Sequence, residues 1–217
     1  MRLGLVTDVH CHSAELARAL ALFRQHAVDR VVTLGDTIDG FARLNGAAEV
    51  ASLLLEADAV GVWGNHDFGL RGDVSEKTRT RVPQVSLSFM ARMHPRLVIG
   101  DCHFSHKEAS VDPYDVTQLW DVSDRPRNLL ERASNGFQAV PQRWQFVGHY
   151  HRWWATTPSA PVEWSGSGLL EFEPHERYFV IVGAACDGWC AVLDVERATL
   201  QPLWCGAADR ETSTEGE

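Results

Sequence analysis

The sequence predicts an α/β fold, a four-layer αββα sandwich in which helices flank two mixed β-sheets. In its first third, apolar strands alternate with amphipathic helices, which is typical of parallel strands joined by right-handed crossovers. The last third carries short strands in quick succession, which is typical of antiparallel pairing. A chain of 217 residues that is 45% hydrophobic can bury a sizeable core.

The alternating part of the chain contains three strands and two helices. Its expected elements are a strand at 3–7, a helix capped by Ser13 that runs to about residue 26, a strand at 31–34, a helix at 46–57 and a strand at 59–63.

The middle of the chain is less regular. A helix is expected at 83–93, and strands at 97–99 and 102–105 flank a turn at Gly100-Asp101. The polar segment 107–141 is expected to be mostly surface loop, with one helix near 127–133.

The remaining strands are predicted at 144–147, 152–157, 162–164, 178–182, 190–195 and 200–204. We therefore expect one domain over residues 1–205. The acidic segment 206–217 has few apolar residues, so it is expected to be a disordered tail.

Composition argues against several classes of protein. The net charge of -9 offers no basic face for nucleic acid, so a nucleic-acid partner is not expected. No apolar run is long enough for a membrane span or a signal peptide, so we expect no membrane association and a cytoplasmic location. The five scattered cysteines do not form a disulfide framework. Cys186 and Cys190 are interpreted as buried hydrophobes, whereas Cys11, between two histidines, is the candidate for oxidation near a metal.

Five short polar motifs, each directly after an apolar run, contain the candidate metal ligands. They are Asp8-Val9-His10, Gly35-Asp36-Thr37-Ile38-Asp39, Gly64-Asn65-His66-Asp67, Ser105-His106 and Gly148-His149-Tyr150-His151. Since sites in α/β folds form at the carboxyl ends of strands, we expect these side chains to converge. Asp, His and Asn in this number suit two adjacent metal ions, a centre that can hydrolyse phosphate esters.

The spacing within the motifs indicates which side chains could share an ion. Asp8 and His10 alternate around Val9, so an extended segment would project both to one side. Asp36 has two carboxylate oxygens and is the natural bridge between two ions, and Asn65 offers a neutral oxygen. His106, at the end of its strand, is preferred over His103, which is expected to be a hydrogen-bonded structural histidine on the other face. His149 and His151 are spaced to aim two imidazoles at one place.

Together the five motifs resemble the calcineurin-like metallophosphoesterase superfamily, in its small bacterial form without a cap domain. The resemblance implies that Asp8, His10 and His151 bind one ion, that Asn65, His106 and His149 bind a second, and that Asp36 bridges them. It implies a metal-bridging hydroxide as nucleophile, His66 as the general acid and Asp39 as the carboxylate that orients it. Asp67 either shares that role or supports the turn. The two divalent or trivalent ions would be Mn, Fe, Zn, Co or Ni, with manganese as the first choice.

The chain departs from the family pattern at two positions. An Arg that clamps phosphate in many phosphoprotein phosphatases is missing after Asp39, and Arg43 and Arg152 are the nearby candidates to replace it. Cys11-His12 stands where small bacterial members have Gly-Asn, so His12 either faces the substrate or caps the first helix.

Several alternatives remain open. Asp-x-His-x-His also opens amidohydrolase barrels, but such barrels are longer. A non-catalytic scaffold on the same fold is the alternative to an enzyme. The expected substrate is small and phosphorylated, a nucleotide-like compound is one candidate, and diester and monoester are both open. Aromatic side chains that either stack on a base or simply pack are Tyr114, Trp120, Trp153 and Trp154.

Overall fold

The structure is a computed structural model, and it describes residues 1–39, 44–121 and 126–207. Eleven strands within these ranges are β1 Arg2–Val6, β2 Arg30–Thr33, β3 Val60–Gly61, β4 Leu97–Ile99, β5 Cys102–Ser105, β6 Trp144–Val147, β7 Trp154–Thr156, β8 Leu170–Glu171, β9 Tyr178–Ile181, β10 Trp189–Asp194 and β11 Thr199–Trp204. Six α-helices in the same ranges are α1 Ser13–Gln25, α2 Ala47–Glu56, α3 Glu76–Arg81, α4 Gln84–Met90, α5 Val116–Leu119 and α6 Pro126–Ala139.

The strands form two mixed sheets, as the sequence predicts. The first sheet has the order β3-β2-β1-β10-β11-β8, and the second has the order β4-β5-β6-β9-β7. In the first sheet β1, β2 and β3 are parallel, whereas β10, β11 and β8 join antiparallel. In the second sheet β5, β6 and β9 are parallel.

Three apolar clusters separate four layers. Side chains of both sheets, such as Leu5 and Phe104, pack in the central cluster. A second cluster packs α1, α2 and α4 on the outer face of the first sheet. A third packs α6 on the second sheet through Phe137 and Phe179. The αββα sandwich is therefore confirmed, and a barrel is excluded.

Some local predictions were wrong. Residues 162–164 form no strand. Val162 N donates one backbone hydrogen bond to Ala155 O, Val162 O accepts a local one from Trp164 N, and the neighbouring bridge is at Pro161. Ser13 does not cap α1, because His12 occupies the N-cap and the Ser13 hydroxyl instead donates to Glu49. The 107–141 segment holds two helices, and its first residue, Lys107, is buried.

The proposed domain end at residue 205 remains a prediction, and residues 208–217 of the predicted tail lie outside the described residues. Within the described ranges, no helix is both long enough and apolar enough to span a bilayer.

Candidate metal centre

The five motifs meet at the carboxyl ends of β1, β2, β3, β5 and β6, on one edge of the sandwich. Backbone hydrogen bonds join their loops. Asp8 N donates to Gly35 O at 3.0 Å, and His10 N donates to Asp36 O at 3.0 Å. Within the second sheet Gly148 N donates to His106 O at 3.1 Å, and between the two sheets His149 N donates to Asp8 Oδ2 at 3.0 Å. The convergence predicted from the motifs is therefore present.

The backbone at these motifs is not extended. Five of the predicted ligands have positive φ angles, between 46° and 69°: Asp8, His10, Asp36, His149 and His151. The alternation argument for Asp8 and His10 was therefore wrong, because β1 ends at Val6 and left-handed turns aim both side chains. Left-handed conformations cost free energy for non-glycine residues and concentrate at functional sites.

Glycines beside the ligands allow close approach of the loops. A Cβ at Gly64 would overlap Asp36 Oδ1, and a Cβ at Gly148 would overlap Thr7 Oγ1. The Gly-Asn and Gly-His steps of the motifs are thus required by packing.

A deep group of ligand atoms surrounds His106. Its Nε2 lies 2.9 Å from Asn65 Oδ1, 3.2 Å from His149 Nδ1 and 3.3 Å from Asp36 Oδ2. Its Nδ1 faces Leu34 O at 2.8 Å, which orients the ring. All four side chains in this group are buried.

An outer group of ligand atoms lies nearer the solvent. The ligand atoms of Asp8, His10 and Asp36 lie within 4.8 Å of one another. His151 Nε2 lies 3.4 Å from Asp8 Oδ1. Asp36 belongs to both groups, which is the position of a bridging carboxylate.

The buried carboxylates attract positive charge. Burial alone would raise the pKa of Asp36, but the charge and hydrogen bond of His106 hold that pKa well below its usual range. For His106 the effects have the opposite signs. Burial alone would lower the pKa of His106, but the charge and hydrogen bond of Asp36 raise that pKa to about 9. His149 differs, since burial and the neighbouring His106 lower its pKa to about 3.

These shifts fit a cation site. Hydrogen bonds with Asp8 and Cys186 raise the pKa of His151 to about 11. A cation bound here would compete with protons for the imidazoles of His106 and His151, because a metal-binding imidazole must be neutral. Carboxylate oxygens, imidazole nitrogens and an amide oxygen are also ligands that borderline transition metals accept.

His66 and Asp39 form a pair beside the outer group. His66 Nδ1 lies 2.7 Å from Asp39 Oδ1, and the His66 ring is 4.6 Å from the His10 ring. Both side chains are partly accessible, at 29% and 17%. The nine predicted residues are therefore all brought together.

Asp67, expected either to orient His66 or to support the turn, makes its hydrogen bonds to backbone. Its carboxylate accepts backbone hydrogen bonds from Thr37, Ile38 and Gly64, which ties the second and third motifs together. Burial and the charge of Asp36 raise the pKa of Asp67 to about 6. Asp67 therefore supports the turns.

Three other candidates are not assigned to the centre. His12 is partly exposed, its Nδ1 lies 3.7 Å from Glu15 Oε2, and its side chain makes no capping hydrogen bond. Arg152 is exposed and directly follows the predicted ligand His151 in sequence. Arg43 lies outside the described residues.

Cys186 and Asp187 also lie at the site, although no motif in the sequence indicated them. His151 Nδ1 faces Asp187 Oδ2 at 3.3 Å and Cys186 Sγ at 3.7 Å. Cys186 is partly accessible, so its interpretation as a buried hydrophobe was wrong. The sulfur of Cys11, the predicted candidate, instead accepts a hydrogen bond from Asp39 N. The nearest sequence signal was a polar Cys-Asp step after the apolar strand β9.

A two-sheet sandwich with Asp, His and Asn side chains at its strand ends defines the class of metal-dependent phosphoesterases. The chain belongs to the calcineurin-like phosphoesterase superfamily, whose domain model matches residues 1–185. No curated protein matches the chain.

Solved structures share this fold. A metallophosphoesterase from Sphaerobacter thermophilus is 20% identical with a TM-score of 0.73, and the match covers 94% of this chain and 88% of that one. A protein from Thermus thermophilus is 13% identical with a TM-score of 0.57, over 94% and 99% of the two chains. An archaeal phosphodiesterase is 16% identical with a TM-score of 0.51, over 94% and 99%. At these identities the likeness concerns the fold alone.

Proposed function

We propose that this protein is a two-metal hydrolase of small phosphate esters, with His66 as its general acid. One observation carries the proposal: two groups of ligand atoms share Asp36, and the His66–Asp39 pair lies beside them. Family membership supports the reaction class.

Each proposed ion has its own residues. Asp8, His10 and His151 would hold one ion, Asn65, His106 and His149 would hold the other, and Asp36 would contact both. When bound, the ions would supply Lewis acidity and an activated water at neutral pH. Mixed nitrogen and oxygen ligands suit Mn, Fe, Zn, Co or Ni, and manganese is our first choice.

His66 would donate a proton to the leaving-group oxygen. Since its Nδ1 faces Asp39 at 2.7 Å, the pair fixes the tautomer and leaves Nε2 for the substrate. His66 N also donates to Asp36 Oδ1 at 2.8 Å, which anchors the acid to the proposed bridging residue. Proton donation and charge stabilisation are thus adjacent.

The substrate is proposed to be a small phosphate ester, which would reach the outer group at its accessible edge. Phosphodiesters and phosphomonoesters both fit the ligand arrangement. The cytoplasmic location stays a prediction.

The role of His66 as general acid is tested with the variant His66→Ala. The control is His94→Gln, because His94 is exposed and its hydrogen bonds beside β3 are made by its backbone. We expect kcat to fall by about 100-fold or more with unchanged metal content. The loss should be greater for an alkyl ester than for a p-nitrophenyl ester, whose leaving group needs less protonation.

Metal analysis accompanies kinetics on mono-, di- and nucleotide phosphates with each added metal. If the metal-loaded wild type hydrolyses none of them, or if His66→Ala changes nothing, the enzyme proposal fails and the non-catalytic scaffold takes its place.

A further inference from the structure

Trp120 lies directly beside the proposed general acid. Its ring centroid is 4.7 Å from that of His66, the rings are tilted by 48°, and the side chain remains 48% exposed. A single exposed tryptophan is ordinary on a protein surface. Whether this one has a role depends on whether its position is fixed.

A buried lysine fixes the backbone on both sides of Trp120. Lys107 is 2% exposed, and its Nζ donates to Gln118 O and to Asp121 O, both at 2.7 Å. Burying an ammonium group is costly unless it is hydrogen-bonded. Here its hydrogen bonds bracket the tryptophan.

A second set of contacts ties the same segment to the second sheet. Arg132 pairs with the Asp121 carboxylate and, at 2.6 Å, with buried Glu108. Tyr150 OH also donates to Glu108, at 2.8 Å. The segment that carries Trp120 is therefore anchored by two buried charged groups.

The segment also contacts the metal ligands. His149 Nε2 lies 3.2 Å from Asp121 O, one residue beyond Trp120. The His149 side chain contacts both Asn65 of the ligand cluster and the backbone of this segment, so the segment that carries Trp120 is held beside the candidate metal centre. A fixed, half-exposed ring beside a proton donor is a preformed surface for the group that receives the proton.

We propose that Trp120 forms a leaving-group subsite for planar aromatic groups, an aryl ring or a nucleobase, by stacking on its exposed face. This inference rests on the proposed function and narrows its substrate class. Stacking on an aromatic side chain tolerates many ring systems, so it selects a class of leaving group. An aliphatic leaving group would gain much less from the same surface.

The kinetic test compares p-nitrophenyl with trifluoroethyl esters, of both phosphate and methyl phosphate, in the metal-loaded protein. Phosphorus NMR would follow hydrolysis in wild type, Trp120→Ala and Trp120→Phe. We expect the ratio of kcat/KM for aryl over alkyl esters to fall about tenfold in Trp120→Ala and less in Trp120→Phe. Tyr114→Ala is the matched control, because Tyr114 is 57% exposed but its ring packs on Trp63.

A binding measurement separates this inference from the proposed function. Calorimetry with adenosine monophosphate should show about tenfold weaker binding to Trp120→Ala, whereas inorganic phosphate should bind alike. If wild type hydrolyses no ester but this binding difference is found, the proposed function fails and the subsite stands. A larger loss for alkyl than for aryl esters would assign Trp120 to holding His66, and wild-type kcat/KM for both esters would remove Trp120 from the site. Either result overturns the inference.

Discussion

Two buried histidines in the same β5 segment, His103 and His106, have opposite surroundings. Each is 2% exposed. Both ring nitrogens of His106 face acceptors, and its pKa is raised to about 9. Neither ring nitrogen of His103 has a hydrogen-bond partner among the described residues, and burial with the charge of Arg96 lowers its pKa to about 4.

The difference follows from where each side chain points. The neighbours of His103 in β5, Cys102 and Phe104, belong to the core between the sheets, so His103 lies on the outer face. Beside it in register is Gln145, whose side chain also lacks a described partner. His106 lies just beyond the strand, where the other motifs converge. Burial alone therefore does not distinguish a candidate metal ligand from a structural histidine, whereas convergent acceptors do.

The largest expected effect is the loss of metal affinity and activity when His106 is replaced. His106→Gln should reduce metal affinity by at least about 100-fold and kcat/KM by about 10³-fold, or about 4 kcal/mol. His103→Gln is the control and should leave both unchanged. Chelator competition and steady-state kinetics measure the two effects. Equal losses in both variants would remove the distinction between the histidines.

The second effect concerns stability and pH. Because the folded pKa of His103 is about 4, below the usual 6.5, the unfolded state binds more protons between these values. The stability due to neutral His103 is complete above pH 6.5 and is lost as pH falls through 4. Relative to His103→Leu, wild type should lose about 2 kcal/mol between about pH 7 and pH 4.5. Urea unfolding at several pH values tests this, and parallel pH profiles would contradict it.

The smallest expected effect is a loss of metal affinity when the partner of His151 Nδ1 is removed. Asp187 faces that nitrogen at 3.3 Å, as carboxylates behind metal-bound histidines commonly do. Because its side chain is 52% exposed, we expect only about a tenfold loss of metal affinity in Asp187→Ala, and partial recovery in Asp187→Asn. Isothermal titration with Mn²⁺ or Zn²⁺ would measure it. Wild-type affinity in Asp187→Ala would show that His151 needs no outer partner.

The sequence predicted most of the architecture because local patterns were strong. The strand 102–105 and the strand 144–147 match β5 and β6 in full. The two-residue strand β8, Leu170–Glu171, was missed because its formation depends on pairing with β11, which lies about 30 positions later in the chain. The strand expected at 162–164 failed because that segment makes only isolated backbone contacts.

The candidate site likewise has residues that local patterns indicate and residues that only distant contacts bring in. Its nine residues were recognised because their types and order are those of a known family. Cys186 and Asp187 were missed because backbone hydrogen bonds from Ala185 and Cys186 to Thr7 and Asp8 bring them in across the sheet. No spacing in the sequence encodes such a contact.

Residue types and short-range periodicity are sufficient to predict the αββα layering and the set of candidate ligands. The directions of the ligand side chains depend on tertiary contacts, which place left-handed turns at Asp8, His10 and Asp36. The tertiary structure also decided that Asp67 binds backbone and that Trp120 is held beside His66. These facts depend on loops meeting from different strands, because hydrogen-bond partners far apart in sequence are fixed only when the sheets pack.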